Sequence, residues 1–301
     1  MTKAVITGAG GMIGLALIKR LTEQGNGVIA VVRPGSQTAE RILKSDKVTI
    51  IECGLEDYDS FIPSQTADIF YHLAWDKTTV QGRDDAAVQA KNIQYSLCAV
   101  RLASRFGCRT FVGAGSQAEY GITNEKLSQK TPVNPQSCYG IAKYSAGKLT
   151  QKLCAQLGIR HCWTRILSVY GEHDGAGSLI SYLIRTLSEG GTPQLTKCEQ
   201  IWDYIYCDDA AAALDAIGSC GKDGNTYCIG SGIGRPLREF VNDIKECINK
   251  NAKISFGAKD YYPHQPMHLV ADIEDLTNDT GFVPKISFKE GIAKTVKRFR
   301  G

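Results

Sequence analysis

The 301-residue sequence has no apolar run approaching a membrane span, no block of basic residues and no Cys-x-x-Cys pair. The first absence argues against a transmembrane helix. The opening MTKAVITGAGG enters a strand and a glycine loop directly, without the pattern of a signal peptide. The second, with a formal net charge of only +4, argues against nucleic acid as a partner. The cysteines number eleven, an odd count, and Cys162, Cys207 and Cys228 sit in apolar strand-like runs where a thiol behaves as a small hydrophobe. Neither a metal site nor a disulfide framework is expected, and this usage suits a reducing cytoplasm. What is left is an ordinary globular composition, 43% hydrophobic and 22% charged, long enough for one large domain or two sharing a cleft.

Two hydrophobic periods alternate through the first half. Short β-rich runs at 3–8, 27–32, 47–53, 67–75, 109–116 and 160–169 are interleaved with helical patterns at 12–24, 84–107 and 138–157. This rhythm predicts an α/β fold with a Rossmann-type, doubly wound parallel sheet, its ligand at the carboxyl ends of the strands. After Tyr170 the rhythm breaks, and a smaller C-terminal α/β subdomain is expected to carry substrate. The division is placed at 1–169 with 200–235 for the dinucleotide-binding domain, and 170–199 with 236–301 for the substrate-binding subdomain.

A G-x-G-x-x-G turn begun at Gly8 would need glycine at position 13, where the sequence has Ile13. The register that fits is Gly8, Gly11 and Gly14, after a strand and at the start of a helix, with Met12 and Ile13 in the helix's first turn. Such a turn lets backbone approach a pyrophosphate, while the helix N-terminus supplies amide donors. The second strand lacks the acidic residue that would bind ribose hydroxyls; it ends Val32-Arg33-Pro34. Arg33 can pair with a 2′-phosphate, so NADP(H) is favoured and NAD(H) remains open; the competing reading is an exposed loop arginine.

In SCYGIAKYSAGKL, Tyr139 and Lys143 lie four positions apart on one helical face. A solvated pair is the plain reading. The chemical one is a phenol acidified by a neighbouring ammonium group. Context decides between them. The glycine loop, the GSQAEYG stretch with Ser116, and Y-x-x-x-K occur in order. With YHLAW, RILSVYG and WDYIYCDDAA, the chain resembles the extended short-chain dehydrogenase/reductase family over nearly its whole length, in the nucleotide-sugar epimerase/dehydratase/reductase branch.

That resemblance implies Ser116, Tyr139 and Lys143 as the catalytic set. Tyr139 would be the general acid/base on a sugar oxygen. Lys143 would lower its pKa and bind the nicotinamide ribose, and Ser116 would donate to the same oxygen. It also implies cofactor contacts from Leu55, Leu73, Ala74, Asn92 and Leu167, and substrate contacts from Trp75, Gln117, Ser168, Trp202 and His264. The implied partners are a sugar or sugar-nucleotide and a second copy of the chain in a homodimer.

Further absences narrow the reaction. The acidic pair that 4,6-dehydratases place after the catalytic hydroxyl residue is replaced by Gln117 and Ala118, with Glu119 one step later. Dehydration is therefore disfavoured. Trp202 stands where a phosphate-binding arginine is usual, and reads equally as a core tryptophan or a ligand contact. Three functions compete: NADPH-dependent reduction of a 4-keto deoxy sugar, 4-epimerisation with tightly held cofactor, and non-catalytic NADP sensing. The complete Ser116/Tyr139/Lys143 set argues against the sensor.

Overall fold

The computed structural model describes residues 2–78, 82–262 and 265–300. The β-α alternation appears as β1 (Lys3–Thr7), α1 (Met12–Glu23), β2 (Gly27–Val32), β3 (Val48–Glu52), β4 (Ile69–His72), α2 (Ala86–Arg105), β5 (Thr110–Ser116), α3 (Cys138–Leu157) and β6 (Arg160–Ile166). The chain continues through β7 (Ser168–Tyr170), α4 (Leu179–Ser188), β8 (Gln194–Leu195), β9 (Ile201–Trp202), β10 (Tyr204–Tyr206), α5 (Cys207–Cys220) and β11 (Thr226–Ile229). It ends with β12 (Arg235–Pro236), α6 (Leu237–Asn249), β13 (Ser255–Phe256), β14 (His268–Leu269), α7 (Glu274–Thr280) and α8 (Phe288–Arg300).

Seven strands form one parallel sheet in the order β11-β6-β5-β4-β1-β2-β3. The winding reverses between β1 and β4, which leaves a crevice at their carboxyl ends. β2, with the apolar run GVIAVV, is buried along nearly its whole length, as a strand covered on both faces must be. α1 and α5 pack together, as do α2 with α3, and the two pairs belong to separate cores on the two faces. Leu17 and Leu21, one turn apart on α1, are buried in the first core. Burying each such side chain contributes roughly 1.5–3 kcal/mol.

Two strands are shorter than their apolar runs, and both departures shape the crevice. The run 67–75 pairs only through His72, after which Leu73 and Trp75 turn to line the opening. The run 160–169 breaks at Leu167, and β7 leaves the large sheet to pair with β10. Beyond the main sheet lie the small sheets β12-β9-β14 and β13-β8, whose two-residue strands carry no sequence signal. α6 packs on α4 and α8, whereas α7 lies against α5 and β11. Among the described residues, no helix is long and apolar enough to cross a membrane.

Candidate active site

The phase of α3 is set at its first turn. Ser137 caps the helix, its hydroxyl accepting from the Gly140 amide at 3.1 Å, and Gly158 closes it in the left-handed conformation at φ +68. This phase turns Tyr139, Ala142, Lys143 and Ala146 inward. Ser116 ends β5 at the same level. All three expected catalytic residues therefore line one cleft of about 460 Å³, together with Trp75, Gln117, Leu167, Ser168 and Trp202.

Lys143 is 3% exposed. Its Nζ donates to the Ala114 carbonyl at 2.5 Å and stands 3.7 Å from the centroid of the Trp75 ring. Burial brings its pKa down to about 7, against the opposing pull of Glu119. Burial also pushes the Tyr139 phenol up, opposed by hydrogen bonding with Ser116 and by the charge of Arg83. Spacing of four residues aligns the two Cβ atoms, but the long lysine stem reaches past the ring to β5, leaving Nζ 5.8 Å from the ring centroid. The Arg83 guanidinium carbon is nearer, at 4.9 Å.

Glu119 faces away from the cleft. It is completely buried and pairs with Arg165 at 2.7 Å. Its other oxygen accepts from Trp163 Nε1 at 3.0 Å and from the Ser116 amide at 2.9 Å. The Ser116 hydroxyl in turn accepts from the Ala118 amide at 3.2 Å, so the two residues cap one turn reciprocally. Glu119 is a positioning group for Ser116 with no free oxygen directed at a ligand.

A second cavity of about 550 Å³ opens beside the first, sharing Leu73, Trp75 and Thr78 with it. Gly8, Gly11, Arg33, Leu55 and Ala74 line it. Gly8 adopts φ +67, and a Cβ there would sit 2.8 Å from the Ala74 amide nitrogen. A Cβ on Gly14 would sit 2.6 Å from the Gly8 carbonyl oxygen. A side chain at either place would push the turn, α1 and the β4 loop apart. No side chain caps α1, so its first-turn amides are left for an anion arriving at the turn. These features fit the pyrophosphate of a dinucleotide. At the far wall Arg33 is exposed beside Ser36 and Thr38, and Asp76, on the β4–α2 segment, is the one carboxylate among the described lining residues.

Three expected cofactor contacts, Met12, Gly14 and Asn92, line neither cavity. Gly14 lies under the turn and acts through packing. Met12 borders a separate cavity of about 230 Å³ with Arg41, Leu43 and His173, so only its backbone bears on the loop. Asn92 is buried, accepting from the Asp76 amide at 2.8 Å and donating to the Asp76 carbonyl at 3.1 Å. It shapes the stretch at Asp76 that borders the cavity. Ile13 lines the cleft that holds Tyr139. His264 lies outside the described residues.

Trp202 is a cleft wall, its Nε1 donating to the Ser168 hydroxyl at 2.8 Å. Asp174 faces the same space, its carboxylate accepting from Ser178 at 2.6 Å and from the Gly175 amide at 2.8 Å, with burial pushing its pKa up. Sequence reasoning missed Asp174, Arg83 and Gln89. Asp174 and Arg83 sit in polar loops without informative spacing. Gln89 was detectable as a polar residue on the buried face of α2, one turn before Asn92. It accepts from Trp75 Nε1 at 2.9 Å and donates to the Gly82 carbonyl at 2.8 Å.

Comparison with known proteins gives the family and its fold. The model of the "NAD dependent epimerase/dehydratase family" matches residues 4–230. A UDP-glucose 4-epimerase of Mycolicibacterium smegmatis is 26% identical, the alignment covering 99% of this chain and 98% of that one. The CDP-abequose synthase of Salmonella muenchen is 24% identical, over 97% and 96%. The crystal structure of a UDP-glucose 4-epimerase from Thermotoga maritima, solved with UDP-glucose, shares the fold with a TM-score of 0.89 at 23% identity, covering 99% and 98%. The chain belongs to the NAD dependent epimerase/dehydratase family, within the extended short-chain dehydrogenases/reductases.

Proposed function

We propose that this protein reduces a 4-keto deoxy sugar, carried on a nucleotide, with NADPH as the reductant. The observation that supports this most is the placement of Ser116 and Tyr139 in a cleft continuous with the glycine-turn cavity, while Glu119 is tied to Arg165. With Glu119 tied to Arg165, the turn after Ser116 offers no free carboxylate for elimination of water. A nicotinamide held across the two cavities would supply the hydride. Ser116 would donate to the carbonyl oxygen, and Tyr139 would pass its proton to that oxygen as negative charge develops there. Lys143, buried beside both, would hold the ribose end through its remaining N–H groups.

The arginine wall supports NADPH over NADH. Arg33, Ser36 and Thr38 offer a guanidinium and two hydroxyls where a 2′-phosphate would lie. Arg33→Ala should weaken NADPH about tenfold or more and NADH little, read by fluorescence titration of both. Equal losses would sink the preference.

Epimerisation at C4 is the second reading, favoured by the likeness to the Mycolicibacterium enzyme. The two differ in cofactor traffic. A reductase should purify without stoichiometric nucleotide and consume added NADPH only when a 4-keto sugar nucleotide is supplied. A retained, non-exchanging dinucleotide, with C4 epimers interconverting and no net NADPH consumption, would replace reduction by epimerisation.

A further inference from the structure

At Asp203 the chain changes sheets within a single residue. On one side β9 pairs with β12 and β14 in a small sheet. On the other β10 pairs with β7, the strand that follows β6 of the large sheet. The residues flanking Asp203, Trp202 and Tyr204, both line the cleft of Ser116 and Tyr139. Asp203 itself is completely buried and reaches no cavity wall there.

Four donors fill its carboxylate. Oδ1 accepts from the Ser231 amide at 2.8 Å and the Ser231 hydroxyl at 2.6 Å. Oδ2 accepts from the Gly232 amide at 3.0 Å and the Ala271 amide at 3.1 Å. Ser231 and Gly232 lie where the chain leaves β11 of the large sheet for β12 of the small one. Ala271 lies where it leaves β14 for α7, which packs against α5 and β11. Three passages between the small sheet and the body around the large one therefore meet at one side chain. Leu127 brackets the same point, its amide donating to the Val270 carbonyl at 2.8 Å and its carbonyl accepting from the Asp272 amide at 2.9 Å. Those two bonds join the clasp to the segment that runs from Ser116 to α3. Gly230 leaves the room for it, since a Cβ there would stand 2.6 Å from Asp203 Oδ2 and 2.6 Å from Ala271 Cβ. A buried carboxylate is tolerated only when its lone pairs are met. Here both oxygens are met twice, and the directions of the four bonds fix the angle at which β9 leaves β10.

We propose that Asp203 is the positioning residue for the Trp202 wall: by gathering these passages it sets where Trp202 stands in the cleft, so that affinity for the sugar nucleotide depends on a residue that touches no ligand. The proposal rests on the reading of this cleft as the sugar-nucleotide site. Trp202 carries the effect. Its Nε1 donates to the Ser168 hydroxyl on β7 at 2.8 Å, and a tilt of β9 against β10 would strain that bond first. The glycine-turn cavity takes none of its described lining from β9, β10, the β11–β12 turn or β14, so the dinucleotide should not respond.

Asp203→Asn keeps the shape but turns an amide nitrogen toward two of the four donors. Hydrogen exchange, followed by mass spectrometry with NADPH bound, should quicken about tenfold in 200–206, 230–236 and 268–272 and stay unchanged in 3–14 and 27–33. In steady-state kinetics with a 4-keto sugar nucleotide, KM for that substrate should rise about tenfold, with kcat and the Kd for NADPH nearly unchanged. Because the effect passes through Trp202, Asp203→Asn added to Trp202→Phe should raise KM much less than it does alone. Gly230→Ala wedges the clasp while leaving the carboxylate in place, and should reproduce both changes even if Asp203→Asn fails to fold. Exchange that quickens evenly along the chain, an unmoved KM, or effects of the two replacements that simply add would overturn the assignment. If the unaltered protein fails to oxidise NADPH with the 4-keto sugar nucleotide, the proposed reaction falls, and the exchange pattern still decides the clasp.

Discussion

Replacing Tyr139 with phenylalanine should slow turnover by about 10²–10⁴-fold, the usual range for loss of a positioned proton donor. The change removes a single oxygen. The ring would keep its edge contact with Trp75 and its place under Arg83, so the fold and the cofactor cavity should hardly respond. Affinity for the dinucleotide, whose turn is built from Gly8, Gly11 and the start of α1, should stay near that of the unchanged protein. Steady-state kinetics with NADPH and a 4-keto sugar nucleotide, beside a binding titration of NADPH alone, would separate the two effects. A large fall in affinity with turnover preserved would place the phenol in binding and remove it from chemistry. Ser116→Ala should cost less, because one donor to the sugar oxygen remains.

The parallel, doubly wound class of the sheet and the positions of its long helices were legible because period and punctuation agree. α3 begins at a serine cap and ends at Gly158, and β2 is a continuous apolar run. The site was legible to the extent that it is built from backbone turns and from short-range spacing: Gly8, Ser116, Tyr139 and Lys143 all line the two cavities. Directions of long side chains were not legible. Residue spacing cannot show that Lys143 reaches to Ala114, or that Asn92 turns inward to hold Asp76. Nor can it show Arg83, which depends on the path of a loop fixed by Gln89 from another element. The break at Leu167 was hidden because both halves of the run are apolar, and only the competition between β11 and β10 for partners divides them.

Glu119 provides the second large expected effect. Glu119→Gln is nearly isosteric, and the amide oxygen can still accept from Trp163 or the Ser116 amide. Arg165, 5% exposed, would then keep its charge without the carboxylate it faces. Breaking one side of a buried pair costs about 3–5 kcal/mol, because the partner is left uncompensated. Equilibrium unfolding in urea should show a loss of this size with an unchanged slope. Arg165→Met should cost a similar amount, while the double replacement Glu119→Leu with Arg165→Met should recover much of the loss. There is little room for adjustment nearby, since a Cβ on Gly115 would already collide with Glu119 and with Trp163. The same variant separates two roles for the carboxylate. A group that only positions Ser116 should, when changed to glutamine, lower stability strongly and turnover modestly at temperatures where the protein stays folded. A group that moves protons in an elimination would show the reverse, with turnover abolished and stability intact, and that outcome would return dehydration to the reactions this cleft performs.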